Sequence, residues 1–289
     1  MFRCISCLSY NNLLCFSSYH LCEFLMSLDI KDLFNIKGKV AVVTGGSRGI
    51  GEMITSGFLA NGVKVYITAR KEEALIAKAE ELSKEYNAEC IPFCSDLSEE
   101  DGINSLVKFL TDKEPEGIDF LINNAGAAWG APFDEYPVDG WDKVVDINLK
   151  SPFFLTQKFA KMLEKRGNSE DPSRIINIAS IDGIGVSNMA DTYAYSASKS
   201  GIIHLTKHLA KTLVERNIIV NAIAPGPFDS HMLGKAVNFD YGFIAEMNPR
   251  KRIGTPQDMA GLCIYLCSRA GAYTVGETVT CDGGLVTTR

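Results

Sequence analysis

The run Thr44-Gly45-Gly46-Ser47-Arg48-Gly49-Ile50-Gly51 follows directly on Val40-Ala41-Val42-Val43, and no other feature constrains the fold of this chain as much. Apolar β-formers, a glycine-rich turn and an apolar helical pattern beyond it read as strand, sharp turn and helix. Gly45, Gly49 and Gly51 keep side chains out of the turn. Its backbone N–H groups and the positive end of the helix dipole are then open to an anion such as a pyrophosphate.

From Lys39 onward, short Val/Ile-rich runs alternate with longer helical patterns, which is the signature of βαβ units and a parallel sheet. Strands are expected at residues 40–43, 63–67, 90–93, 120–122, 174–178, 218–223 and 278–280. Leu155, Phe159, Met162 and Leu163 form one apolar helical stripe, and Ile202, Leu205, Leu209 and Leu213 another. The fold expected is α/β: a single-domain, doubly wound parallel sheet of about seven strands, Rossmann-like, with helices on both faces. Pro225, Gly226 and Pro227 close the sixth strand, and the loose apolar segment that follows, about 226–250, reads as a lid over the substrate.

A length of 289 residues suits one large domain, and a net charge of -6 with scattered Lys and Arg argues against nucleic-acid or anionic-membrane partners. The nine cysteines are unevenly spaced and suggest reduced thiols in a cytoplasmic protein rather than a disulfide framework. Nothing at ligand spacing completes Cys4-x-x-Cys7, so no metal is expected. Residues 1–26, rich in Ser and Cys, fit neither a secretory signal nor a transit helix and are expected to lie outside the fold, which then runs over 27–289. That segment holds no apolar run long enough to span a membrane.

Where an NAD site usually carries an acid after its second strand, this chain has Ala69-Arg70-Lys71. Arg48 and Arg70 can both face a 2′-phosphate, which favours NADP(H). Tyr195 and Lys199, four apart, share one helix face, so an ammonium near the phenol is expected to lower its pKa for acid–base work. Tyr193 has Ala197 at the same offset and lacks that partner. Ser180 ends the fifth strand at the carboxyl edge, where such sheets bind ligands, and its hydroxyl can hold a substrate carbonyl or cap a turn. Asn148 is a polar residue within an amphipathic helix, read either as functional or as a local kink.

With these motifs the chain resembles the short-chain dehydrogenase/reductase family over residues 36–289. Further points of resemblance are Asn123-Asn124-Ala125-Gly126, Asp96-Leu97, Pro225-Gly226 and Asp282-Gly283-Gly284. The resemblance implies a catalytic tetrad of Asn148, Ser180, Tyr195 and Lys199, with Asn148 positioning the water that returns the proton. It also implies cofactor contacts from Gly45, Ser47, Arg48, Gly49, Ile50, Gly51, Arg70, Asp96, Leu97, Asn123, Ala125, Gly126, Tyr195, Lys199, Pro225, Gly226 and Phe228, with Asp96 near the adenine and Asn123 near its ribose. Within the family the chain is most similar to NADPH-dependent 3-oxoacyl reductases of the rhamnolipid-biosynthesis type, through Ser47 to Gly51, Ala69-Arg70, Trp129-Gly130, Tyr136-Pro137 and Gly140-Trp141. One departure is the fifteen-residue step from Ser180 to Tyr195, slightly longer than the family's usual spacing, in a loop that borders the substrate.

The expected reaction is reduction of a 3-oxoacyl thioester; the alternatives are oxidation of a sugar acid, polyol or other secondary alcohol, and a cofactor-binding protein without turnover. Phe228, Met232, Leu233, Val237, Phe239, Tyr241, Phe243, Ile244 and Met247 would make the lid apolar, with Trp129 and Phe133 as a second wall. Lys165, Arg166 and Arg216 are candidate contacts for an acidic acyl carrier. The two apolar stripes exceed what one sheet face needs, which points to self-association, and the resemblance implies a homotetramer.

Overall fold

Seven strands alternate with helices along the chain: β1 (Val40–Thr44), β2 (Lys64–Ala69), β3 (Cys90–Cys94), β4 (Phe120–Asn123), β5 (Ser173–Ile178), β6 (Ile218–Pro225) and β7 (Thr278–Cys281). They come from a computed structural model that describes residues 27–186, 191–230, 233–234 and 240–288; the segment 1–26, with Met232, Val237 and Phe239 of the expected lid, lies outside the described residues. All seven expected strands are present. They form one parallel sheet in the order β3-β2-β1-β4-β5-β6-β7. The order reverses between β1 and β4, which opens a crevice at their carboxyl ends. Pro92 is tolerated because β3 is an edge strand, where a missing N–H leaves no ladder bond unmade.

The helices are α1 (Ile30–Leu33), α2 (Gly49–Ala60), α3 (Glu72–Tyr86), α4 (Glu100–Lys113), α5 (Val138–Val145), α6 (Ser151–Arg166), α7 (Tyr193–Leu213), α8 (Tyr241–Met247) and α9 (Pro256–Cys267). Alternation along β1 sends Ala41 and Val43 to one face and Val40 and Val42 to the other, so each face builds its own core. On the first face Ile54, Phe58, Leu75, Leu82, Met259 and Cys263 of α2, α3 and α9 pack on the strands. On the second, Leu106, Leu155, Phe159, Leu163, Leu209 and Leu213 of α4, α6 and α7 do so.

Most of both expected stripes is consumed inside the monomer, Phe159 being 0% and Ile202 1% exposed, but Leu205 of the second stripe is only partly buried. It lines an apolar face that is left over, a concavity of about 460 Å³ formed by Val145, Leu149, Phe153, Gly201, Leu205, His204, His208 and Lys150 along α5, α6 and α7. Periodicity reveals that a helix has an apolar side, but not how many neighbours cover it.

At the amino edge of the sheet, Asp119 accepts from the Val40 N–H at 2.8 Å and pairs with Lys39 at 3.1 Å and Arg166 at 2.9 Å. Lys165 donates to the Pro115 carbonyl, and Arg216 forms a double hydrogen bond with Glu164. These three cations stand where strands begin, opposite the edge at which ligands bind, and each is already engaged. The expectation that they receive an acyl carrier beside the cleft is not met. Among the described residues Cys90, Cys94, Cys263, Cys267 and Cys281 are free thiols, and no helix is long and apolar enough to cross a membrane.

Candidate active site

The β1–α2 turn is built for close approach. Gly45 and Gly49 have φ of 65° and 55°, values that side chains resist, and a Cβ at Gly51 would collide with the Gly45 carbonyl oxygen. Arg48 is the N-cap of α2 but makes no side-chain cap bond. Asn124 clamps the turn, its Nδ2 donating to the Thr44 carbonyl at 2.8 Å and the Gly45 carbonyl at 3.2 Å. Thr44 Oγ1 accepts from the N–H groups of Asn124 and Ala125, both at 2.9 Å, so β1 and β4 are stitched together at the crevice. Ser230, the first step of the lid segment, stands against Gly49, whose added Cβ would lie 3.2 Å from Ser230 Cβ. A cradle that side chains would fill, at a helix N-terminus, fits a pyrophosphate.

At the far end of the cradle Arg70 follows β2 and lies 3.6 Å from Asp96, which follows β3. Burial pushes the Asp96 carboxyl up, but hydrogen bonds from the Ser98 hydroxyl and N–H and the guanidinium of Arg70 outweigh it and hold the group below its usual value. Acid is missing from β2, yet the neighbouring strand supplies one, so Arg70 does not face a phosphate unopposed. Arg48 is exposed in the turn, with Ser47 beside it and Ile50 packed on the first core.

The reacting groups gather at the carboxyl ends of β5 and β6. The Ser180 hydroxyl lies close enough to the Tyr195 phenol to act on its pKa, and Ser180 Oγ accepts the Asp182 N–H at 3.1 Å. Lys199 is only 5% exposed; its Nζ donates to the Ile178 carbonyl at 2.7 Å and lies 5.6 Å from the centre of the Tyr195 ring. Burial pulls the Lys199 ammonium down to about 8. Burial also pushes the Tyr195 phenol up to about 12, helped by the charge of Asp182 and opposed by the Ser180 hydrogen bond. The expectation that Lys199 lowers the phenol is thus not met by the protein groups alone, because desolvation outweighs an ammonium already committed to a carbonyl.

Asn148 explains its odd polarity by position. It lies in a single wide turn, Asp146–Lys150, of π geometry between α5 and α6, and is 2% exposed. Its Oδ1 accepts the Ala127 N–H and its Nδ2 donates to the Ala127 carbonyl, both at 2.9 Å, and to Ser198 Oγ at 3.0 Å. Ser198 in turn donates to the Tyr195 carbonyl at 2.8 Å. Asn148 therefore ties the loop after β4 to α7, with both of its amide N–H groups engaged.

Several expected cofactor contacts are placed differently. The Asn123 side chain points into the protein, donating to Asn177 Oδ1 at 2.8 Å, and Leu97 is buried in the second core, so each has only its backbone to offer a ligand. Phe228 is 3% exposed with its ring against Gly254, so it anchors the lid segment instead of facing the crevice. Ala125 and Gly126 lie between the clamped turn and Asn148. Pro225 ends β6, and Gly226 has no room for a side chain beside Asp282. Trp129 packs on Gly140 with Lys143 5.2 Å above its ring, while Phe133 belongs to an outer aromatic hollow with Tyr136, Trp141 and Tyr193. Sequence reasoning assigned no individual role to Thr44, Asn124, Asp182, Ser198 and Ser230, because what each does depends on its tertiary partners.

A glycine cradle at the switch point of a parallel sheet, with Ser180, Tyr195 and Lys199 at the adjoining strand ends, defines a dinucleotide-dependent oxidoreductase. The chain belongs to the short-chain dehydrogenase/reductase family: the family model described as enoyl-(acyl carrier protein) reductase matches residues 45–286. It is 42% identical over 253 residues to the rhamnolipids biosynthesis 3-oxoacyl-(acyl-carrier-protein) reductase of Pseudomonas aeruginosa, covering 87% of this chain and 97% of that one. It is 34% identical over 254 residues to the 3-oxoacyl-(acyl-carrier-protein) reductase FabG of Aquifex aeolicus, covering 86% and 98%. The solved Pseudomonas aeruginosa RhlG/NADP active-site complex superposes with a TM-score of 0.83 at 41% identity, covering 88% of this chain and 98% of that chain.

Proposed function

We propose that this protein is an NADPH-dependent 3-oxoacyl thioester reductase, acting on an acyl group held by a carrier. The observation that carries the reading is buried Lys199 with its Nζ 5.6 Å from the centre of the Tyr195 ring, and Ser180 alongside, at the strand ends next to the glycine cradle. The cradle of Gly45, Gly49 and Gly51 would hold the pyrophosphate of NADPH, and Arg48 and Arg70 its 2′-phosphate. When bound, the cofactor supplies hydride to the ketone carbon.

Ser180 donates its hydroxyl to the ketone oxygen, and Tyr195, protonated at neutral pH, gives that oxygen its proton. A pKa of about 8 leaves Lys199 mostly cationic at pH 7, and its charge favours the phenolate left behind. The backbone of Asn148, in the wide turn, is the place for a water that returns the proton.

The sugar-acid alternative gains no support from the site, because the unpaired Asp182 carboxylate near Tyr195 repels a substrate that carries its own carboxylate. A non-catalytic binding role would not require Ser180, Tyr195 and Lys199 to be gathered beside the glycine cradle. The lid segment contributes Tyr241 and Phe243 on α8, Phe243 being 63% exposed, as an apolar surface for an acyl chain, while Ile244 packs inward. We also infer a homotetramer, supported by the uncovered apolar face along α5, α6 and α7.

The test is NADPH consumption with 3-oxoacyl thioesters of rising length, acetoacetyl thioester and 5-ketogluconate. Each buried CH₂ contributes about 0.8 kcal/mol, so kcat/KM should climb steeply from short to medium chains. A maximum on the sugar acid, or a flat response to length, refutes the acyl assignment.

A further inference from the structure

The turn that carries Ser180 also carries an anion that hydride transfer does not require. Residues Ile181–Gly183 form a short 3-10 turn pinned against α7. The Gly183 N–H donates to the Ser180 carbonyl at 3.0 Å, Ser200 Oγ donates to the Gly183 carbonyl at 2.9 Å, and a Cβ on Gly183 would strike the Lys199 backbone. Asp182 is thereby fixed beside the helix that carries Tyr195, with its own N–H on Ser180 Oγ. Its side chain is half-buried, and among the described residues the carboxylate accepts no hydrogen bond and forms no ion pair. A partly buried, unpartnered carboxylate is costly to keep.

We propose that the Asp182 carboxylate holds Tyr195 in its proton-donating form, its negative charge opposing the phenolate, so that ketone reduction proceeds from the resting site while alcohol oxidation waits for the phenol proton to leave at higher pH. The inference rests on Tyr195 being the proton donor of the reaction proposed above. The charged and titratable groups around the phenol are few. α7 brings Lys199, whose ammonium is given to the Ile178 carbonyl; the wide turn between α5 and α6 brings neutral Asn148; the turn after β5 brings Ser180 and Asp182. Asp191 and Asp134 act on Tyr193 at the outer side of the helix. Among the described residues Asp182 is the anion whose charge bears on Tyr195, and it adds to the upward push of burial.

The experiment titrates the full-length protein and its Asp182→Asn and Asp182→Glu variants by ultraviolet phenolate absorbance, each minus its Tyr195→Phe counterpart to isolate this tyrosine. The pH profile of kcat/KM is measured in both directions alongside. Asp182→Asn should move the Tyr195 titration and both kinetic limbs down by about one pH unit, so that below the limb oxidation rises about tenfold, while Asp182→Glu stays with the parent. An unmoved titration in Asp182→Asn, or an equal shift in Asp182→Glu, overturns the proposal. The absorbance readout needs no substrate: if 3-oxoacyl thioesters prove inert the functional reading fails, and this inference is still decided.

Discussion

Arg70 meets its counter-charge before it meets any phosphate, since Asp96 is 3.6 Å away across the ends of two paired strands. The pair is 64% and 41% exposed at its side chains, so water screens it and a doubly charged phosphate can compete for the guanidinium. Arg70→Asp should cut the preference for NADPH over NADH by about tenfold or more, since a charge-assisted contact is worth about 1.5–3 kcal/mol. Measuring kcat/KM with both cofactors checks this, and an unchanged ratio would place the 2′-phosphate elsewhere. The identities of Arg48, Arg70, Ser180, Tyr195 and Lys199 were all legible in the sequence. Their partners were not: Asp96 reaches Arg70 only because β2 and β3 pair with Ala69 opposite Cys94. For the same reason the fate of the Lys199 ammonium, bound to a carbonyl of β5, could not be read from its spacing to Tyr195.

At the scale of elements, α7 and the long helix made of α5, the wide turn and α6 are joined through Ser198, which accepts from Asn148 and donates to the Tyr195 carbonyl. Ser198→Ala leaves a buried amide N–H without its acceptor, which costs about 1–3 kcal/mol. Calorimetry should show a lower Tm, and kcat should fall with little change in NADPH affinity, because the glycine cradle is untouched. Retention of full kcat would mean that α7 keeps Tyr195 in place without this link. The strands were legible because Val/Ile runs bounded by turn residues announce themselves. The π geometry at Asp146–Lys150 was not, since no residue type encodes it; only the polarity of Asn148 hinted at a kink.

For the molecule as a whole, the sheet order follows from the βαβ alternation once the glycine turn is placed on β1, and the crevice at the β1/β4 reversal follows in turn. The periodic stripes of α6 and α7 mostly cover the sheet, and the uncovered apolar face is that of Val145, Leu149, Phe153 and Leu205, the last of which belongs to the α7 stripe. Light scattering should give the mass of four chains, and Phe153→Glu, which sets a charge in that concavity, should yield a smaller species. A parent protein of single-chain mass sinks the tetramer.

The wide turn at Asn148 also works as a gear. An α-helix advances about 100° per residue, so removing one residue between 146 and 150 to make the helix regular would rotate everything after it by that angle. Leu155, Phe159 and Leu163 would swing off the sheet while Trp141 and Val144 stayed where they are. Phasing of Asn148 and phasing of the core are thus locked to a single supernumerary residue. Among natural variants of this chain, insertions and deletions should accumulate in the surface loops and be absent from this stretch.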